Sequence, residues 1–337
     1  MPSLTSWTDL DDETWTACLD RALYHRQQRE WTDAPAGKAL ALLFLNPSLR
    51  TRASMELAAQ HLGAGSVTLT PGQGTWGLAW DDTPMTGNAA EHVREAVPVL
   101  GSYADALGVR TFASLTDYDA DQADAALAAV VEASPVPVVN LESARWHPCQ
   151  ELADAAALTE TLGDPRGKKL VLSWAPHPKA LPQAVPNSAL LMAARLGMEV
   201  IVARPEGFGL GADVMDLARD AARRAGGSVT ESSDQVISFD GAHAVYAKAW
   251  SGSLVYDAPK REAEARAANA DWRITQALMN RTDRAHFMHC LPVRRGVVVD
   301  GEVLEDDRAI HLLQAEYRLH AQKAILEWIW GLEGTGQ

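Results

Sequence analysis

Residues 38–52 read Lys38-Ala39-Leu40-Ala41-Leu42-Leu43-Phe44-Leu45, then Asn46-Pro47-Ser48-Leu49-Arg50-Thr51-Arg52. The first eight form an apolar run that reads as a strand, and the segment Thr51–His61 behind it reads as a helix. Ser48 is a good N-cap, and the backbone N–H groups after it sit at the positive end of the helix dipole. Two arginines and two hydroxyls add charge-assisted donors at the same corner. Arginine in a first helical turn runs against the dipole. The pair Arg50 and Arg52 therefore calls for an anion, and a phosphate fits.

The same alternation runs along the chain in both directions from this corner. Ser66–Thr70, Ala106–Val109 and Val136–Leu141 read as strands, with helices over Asn88–Asp105 and Asp121–Ala133; Pro98 predicts a kink or a later start for the first of these. A second set follows, with strands at Lys168–Trp174, Glu199–Ala203, Ala244–Ala247 and His286–His289. Its helices fall at Ala184–Leu196, Asp213–Arg224 and Asp271–Asn280. A helix from about His147 to Gly163-Asp164-Pro165 bridges the two sets, and Leu312–Trp330 forms a last amphipathic helix. Strands alternating with helices imply an α/β fold of two doubly wound parallel sheets, each covered on both faces. A length of 337 residues suits two domains. In open sheets of this kind ligands sit just beyond the carboxyl ends of the strands.

The formal charge of −14 repels nucleic acid and anionic membrane, so neither is an expected partner. An anionic substrate then needs a local basic pocket. Three cysteines (Cys18, Cys149, Cys290) cannot all pair within one chain, which points to a reducing compartment. The acidic start lacks an apolar core of signal-peptide length, and no run approaches ~20 apolar residues. The expectation is a soluble cytoplasmic protein.

Three further segments lie at strand ends: Arg110 after Ala106–Val109, His147-Pro148-Cys149-Gln150 after Val136–Leu141, and His289-Cys290-Leu291-Pro292 before Arg294-Arg295. Two His and two Cys raise zinc, but the C-x₂₋₄-C spacing of structural sites is missing, so no metal is expected. Gly72-Gln73-Gly74-Thr75-Trp76-Gly77 matches G-x-G-x-x-G after a strand; the turn-rich LAWDDTPMTG behind it is no helix, which argues against a dinucleotide site. It reads better as a loop that exposes a tryptophan. Cys290 could be mistaken for a nucleophile, but that role needs an adjacent base and an orienting group, and the sequence proves neither.

Taken in order, S-x-R-T-R, the strand-end arginine, H-P-x-Q and H-C-L-P resemble the aspartate/ornithine carbamoyltransferase family, from about Lys38 to Ala324. The resemblance implies a carbamoyl phosphate-binding domain over 1–150, joined by the C-terminal helix 312–333, and an acylornithine-binding domain over 151–311. It also implies a homotrimer in which a neighbour's loop completes each site, and no cofactor. Carried over position by position, Ser48, Leu49, Arg50 and Thr51 would hold the phosphate, with Trp76 closing over it from another subunit. Arg110, His147, Pro148, Cys149 and Gln150 would face the carbamoyl group, with Cys290, Leu291 and Arg318 nearby; Arg110, His147 and Cys290 would be the catalytic set. Ala90, Glu142, His177, Lys248 and Arg294 would orient the amine substrate.

Within the family the chain is most similar to the branch acting on N-acylated ornithine, through Gly74-Thr75-Trp76, Glu91-His92, Leu141-Glu142-Ser143, Trp174–Lys179, Tyr246–Trp250 and Arg318-Leu319-His320. The D-G-x-N and D-x-W-x-S-M-G segments of the plain ornithine enzymes are absent. Acetyl enzymes place a glutamate just before the Glu-His pair, where this chain has Ala90, and carry a lysine where it has Val298. Alanine leaves room for a succinyl carboxylate, so N-succinylornithine is favoured, with N-acetylornithine and then free ornithine as alternatives. The chemistry implied is amine attack on a carbonyl with phosphate leaving, which needs positioning and a stabilised oxyanion but no covalent enzyme intermediate.

Overall fold

The apolar run after Lys38 becomes strand β1, Ala39–Phe44, in the computed structural model, which describes residues 3–28 and 37–332. It is preceded by helix α1 (Asp12–Gln28) and followed by α2 (Arg50–His61) and β2 (Gly65–Pro71). The loop beyond holds three two-residue strands, β3 (Gly74–Thr75), β4 (Leu78–Ala79) and β5 (Glu91–His92). Then come α3 (Val93–Tyr103), β6 (Ala106–Arg110), α4 (Tyr118–Gln122), α5 (Ala125–Ala133), β7 (Val138–Glu142) and α6 (Pro148–Leu162). No helix follows Gly72–Gly77, so a dinucleotide loop is ruled out there.

The first sheet runs β3-β2-β1-β6-β7 with every ladder parallel. Alternate residues Ala41 and Leu43 of β1, Leu107 and Val109 of β6 and Val138 of β7 pack with Val93 and Val97 of α3 and Leu127 and Val130 of α5. Period two on the strands meets period four or three on the helices. Leu40, Leu42 and Phe44, on the opposite face of β1, are buried too. Both faces are therefore covered, which is why the strand is apolar throughout. At Gly108 of β6 a Cβ would lie 2.6 Å from Leu42 Cδ2, so a larger residue there would displace the Leu42 side chain.

The second sheet is built from β8 (Lys169–Trp174), β9 (Glu199–Ala203), β10 (Ser228–Ser232), β11 (Ala244–Lys248) and β12 (His286–Met288), in the order β10-β9-β8-β11-β12, again all parallel. Between and after them lie α7 (Ala184–Arg195), α8 (Ala212–Ala225), α9 (Gln235–Phe239), α10 (Leu254–Asp257), α11 (Pro259–Ala268), α12 (Gln276–Met279), α13 (Gly301–Glu305) and α14 (His311–Ile329). In each sheet the strand order reverses beside its first strand: between β1 and β6, and between β8 and β11. Loops leaving such a switch point open a crevice for ligand.

Contacts divide the chain into one unit of residues 1–114, 119–152 and 317–337 and another of 115–118 and 153–316. The cuts fall inside α6 and α14, whereas the sequence alone suggests 150/151 and 311/312. A continuous helix offers no linker composition to mark the place. Residue 333, the expected end of the last helix, lies outside the described residues.

Three expected helices differ. The segment expected from Asn88 starts at Val93, because Glu91–His92 pairs with β4 and the His92 ring accepts the Arg94 N–H. The segment 121–133 is broken at Asp124, which is left-handed (φ 50°). Its carboxylate accepts from Ser143 Oγ (2.6 Å) and Ala144 N–H (2.8 Å), tertiary bonds that outweigh helix continuity. Asp271–Asn280 splits into a 3₁₀ turn, Ala270–Trp272, and α12, capped by Thr275. Among the described residues no helix is long and apolar enough to cross a membrane.

Candidate active site

In the first unit β1 leads into the corner at Ser48. Its hydroxyl accepts the Thr51 N–H at 3.2 Å, closing the turn before α2. Thr51 is buried, and its Oγ1 receives two guanidinium groups: Arg110 Nη1 at 3.2 Å and Arg318 Nη2 at 3.1 Å. Arg110 is placed by β6, whose ladder pairs it with Phe44 at the end of β1. The same Nη1 donates to Glu142 Oε2 at 2.5 Å, and the guanidinium stacks on Phe112 at 4.6 Å. Its Nε has no hydrogen-bond partner among the described residues. Arg318, on α14, donates through Nη1 to Gln150 Oε1 at 2.7 Å. His147 Nε2 lies 3.5 Å from Glu142 Oε2.

Two guanidinium groups thus share one neutral oxygen in a buried cluster, with the Glu142 carboxylate on Arg110. Like charges so close are costly unless an anion joins them. The first-turn amides of α2 open at the same corner and add positive potential. Arg52 does not join them: it is exposed and pairs with Glu56 at 3.1 Å. Spacing along α2 explains this, since i,i+4 puts Glu56 on the face of Arg52. This differs from the expectation that both arginines of S-x-R-T-R face an anion, since Arg52 is turned to Glu56 and solvent.

Pro148 and Cys149 are both buried. The Pro148 carbonyl accepts Trp7 Nε1–H at 2.9 Å. The fully buried Cys149 thiol points at the Asn140 carbonyl, 3.6 Å away, and burial pushes its pKa up to about 11, so it is no nucleophile. Leu49 and Trp76 stand in solvent, 78% and 68% exposed, and Ala90 is exposed as well. Glu142, expected on the amine substrate, is engaged with Arg110 and His147.

The second unit gathers the other residues at its own switch point. Lys248 ends β11 opposite Trp174, and Ala175 N–H donates to Lys248 O at 3.0 Å. Arg294 Nε donates to His177 Nε2 at 3.0 Å. A guanidinium N–H can only donate, so Nε2 carries no proton and the ring is neutral; Nδ1 then holds the proton and donates to Lys179 O at 2.9 Å, so the Lys179 N–H, 3.1 Å from the same nitrogen, is not bonded to it. Burial, aided by the charges of Arg294, Lys248 and Arg266, holds the His177 pKa below its usual value. The neutral ring is the form the fold favours, so its contribution to stability is whole above pH ~6.5 and drains away as pH falls below that. An NMR titration should find His177 titrating below 6.5, and Arg294→Ala should move it upward; a value at or above 6.5 in the parent chain would show that the fold does not favour the neutral ring.

Cys290 and Leu291 follow β12. Leu291 is left-handed (φ 56°), with its N–H on His289 Nδ1 at 2.9 Å. His289 N–H in turn donates to Gln314 Oε1, whose amide donates to Asp154, and Asp154 also accepts the Tyr246 hydroxyl. This buried network fixes the strand end that presents Cys290. Among the described residues no three His, Cys, Asp or Glu side chains converge as metal ligands would.

The first of the two parallel α/β units carries buried guanidinium groups at its switch point and the second a cationic cluster at its own, an arrangement suited to anionic ligands. Residues 3–160 match the carbamoyl-P binding domain of aspartate/ornithine carbamoyltransferase and residues 182–329 match the Asp/Orn binding domain. The chain therefore belongs to the aspartate/ornithine carbamoyltransferase family and is a carbamoyltransferase. It is 42% identical to the N-acetylornithine carbamoyltransferase of Xanthomonas campestris pv. campestris over 88% of each chain. It is 34% identical to the N-succinylornithine carbamoyltransferase of Bacteroides thetaiotaomicron, over 90% of this chain and 91% of that one. Among solved structures, a glutamate-to-alanine variant of N-acetyl-L-ornithine transcarbamylase complexed with carbamyl phosphate and N-succinyl-L-norvaline superposes with a TM-score of 0.94, at 38% identity, covering 98% of this chain and all of that one. The N-acylornithine branch is thereby supported.

Proposed function

We propose that the chain transfers the carbamoyl group of carbamoyl phosphate to the side-chain amine of N-succinyl-L-ornithine, giving N-succinyl-L-citrulline and phosphate, as a cytoplasmic step of arginine biosynthesis. The first unit takes carbamoyl phosphate: the α2 amides after Ser48, with Leu49, Arg50, Thr51 and Arg318, hold the phosphate. Arg110, His147 and Gln150 address the carbamoyl group, and Arg110 and His147 stabilise the oxyanion that forms as the amine attacks. In the second unit His177, Lys248 and Arg294 grip the carboxylates of the acylornithine, while Cys290 and Leu291 address the carbamoyl group. The attacking amine, with an intrinsic pKa near ~10.4, must lose a proton; the departing phosphate takes it.

The observation that carries the choice of acyl group is Ala90. We take it to stand where the acetyl enzymes keep a glutamate, and a glutamate-to-alanine variant of one such enzyme holds N-succinyl-L-norvaline in its crystal. Alanine supplies space and removes a charge that would oppose the succinyl carboxylate. The Xanthomonas relative is the more similar of the two over the whole chain, but identity averaged over a chain says little about one pocket position. Initial rates with N-succinylornithine, N-acetylornithine and ornithine decide the matter; a higher kcat/KM for the acetyl substrate would overturn the succinyl assignment.

Trp76 has too little contact in its own chain to serve the fold, so we infer that it closes over the phosphate of a neighbouring subunit in a homotrimer. Trp76→Ala is then expected to leave the melting temperature of the separated chain nearly unchanged, since exposed positions contribute little. It should raise the KM for carbamoyl phosphate about tenfold, the scale of losing one aromatic anchor. An unaltered KM in a protein that sediments as a monomer would contradict both parts.

A further inference from the structure

The loop carrying His177 leaves β8 at Trp174 and enters α7 at Ala184. Both ends are tied. Ala175 is bound to the end of β11, and Leu181 exchanges two bonds of 2.9 Å with Ser251, one through the serine hydroxyl and one through its backbone N–H. In the middle, Pro176 and Pro178 bracket His177. Neither proline has an N–H to give, and a residue before proline is held to extended backbone. The carbonyl of His177 is a polar group through which this stretch can be anchored to a neighbouring element.

Arg266 takes it. Its Nη1 donates to His177 O at 2.8 Å. The rest of the guanidinium is committed to Glu262, one turn earlier on α11: Nη2 to Oε2 at 2.9 Å, and Nε to both oxygens at 3.3 Å. Glu262 and Arg266 are 1% and 7% exposed. A buried ion pair seldom stabilises a fold more than apolar side chains of equal volume would. Retaining one beneath a loop that already holds two tied ends points to a task other than stability. Only a planar fork can hold a carboxylate on one edge and a carbonyl on another.

We propose that Arg266, held in place by Glu262, is a positioning residue for substrate recognition: it fixes the His177 backbone, and so presets the imidazole on which Arg294 rests. A substrate carboxylate then meets an arranged pair rather than having to order it. The inference rests on the roles proposed above for His177 and Arg294.

Two variants test it, Glu262→Met with Arg266→Met, and Arg266→Lys alone. The first removes both charges at similar volume. The second keeps the buried pair but loses the fork, and it carries the test if the first does not fold. The readout is the KM for the acylornithine at saturating carbamoyl phosphate, because KM does not depend on the fraction of molecules folded. The expected result in a folded variant is a rise of about tenfold or more, the cost of a small misplacement of a binding group, with kcat and the KM for carbamoyl phosphate changed less than about threefold. An unchanged acylornithine KM, or an equal rise in both KM values, overturns the proposal. A parent enzyme that carbamoylates no acylornithine would instead remove the function on which it rests, and the same assay separates the two failures.

Discussion

Arg110→Gln is expected to lower kcat by about 10²–10³-fold, the loss seen when one preorganised oxyanion donor is removed. The side chain is anchored at three points: Thr51 Oγ1, Glu142 Oε2 and the face of Phe112. Anchoring of this kind means that little reorganisation is needed when charge develops on the carbamoyl oxygen. Glutamine can still donate to Thr51 or Glu142 but brings no charge, so the variant isolates electrostatics from scaffolding better than alanine would. Part of the response will appear in stability, because Glu142 loses its guanidinium partner. His147, whose Nε2 lies 3.5 Å from Glu142 Oε2, remains beside the carboxylate in the variant. Circular dichroism melts alongside rapid-quench rates separate the two effects. A folded Arg110→Gln enzyme with kcat within tenfold of the parent would show that the charge is not on the oxyanion.

Ala90→Glu is expected to reverse the choice of acyl group. A carboxylate ~4 Å from the succinyl carboxylate costs a few kcal/mol at a partly solvated site, and about 2.7 kcal/mol corresponds to a hundredfold. The variant should therefore lose about a hundredfold in kcat/KM for N-succinylornithine and gain or hold ground on N-acetylornithine. Folding should be indifferent, because Ala90 is exposed and precedes β5 without packing into the core. The measurement is the ratio of kcat/KM for the two acylornithines in parent and variant. A ratio unmoved by the glutamate would detach Ala90 from specificity altogether.

The elements that lead to the site were legible because both signals coincide there. An apolar run buried on two faces stops abruptly at Asn46, and the polar residues after it have no core to enter. Thr51, Arg110, Gln150 and Arg318 lie far apart in sequence, yet the structure gathers them on one hydroxyl and one amide. Where the chain misleads, the cause is tertiary. Asp124 reads as an ordinary helix residue until the Ser143 turn captures its carboxylate. Ser228–Ser232 is a polar stretch of which Val229 alone is fully buried, sufficient for an edge strand and invisible to a search for apolar runs. Helix α1 does carry a stripe, Trp15, Cys18, Leu19, Ala22 and His25, but an acidic and basic surround hides it.

The pair Glu262 and Arg266 shows the limit most clearly. Pro259–Ala268 reads PKREAEARAA, which resembles a solvated helix with a helical i,i+4 pair. Only the fold reveals that the pair is buried and that Arg266 also reaches a residue 89 positions back along the chain. Charge patterning along a helix reports which groups can meet; it does not report whether water is present when they do.

The central claim is that the first unit's corner binds carbamoyl phosphate and that the chain passes its carbamoyl group to an acylated ornithine. Incubation with carbon-labelled carbamoyl phosphate and N-succinylornithine tests it most directly. The account predicts label in N-succinylcitrulline with one phosphate released for each citrulline formed, abolished by Arg50→Gln. Label appearing in no citrulline, whether succinylated, acetylated or free, while the folded enzyme also fails to bind a phosphonate mimic of carbamoyl phosphate, would contradict it.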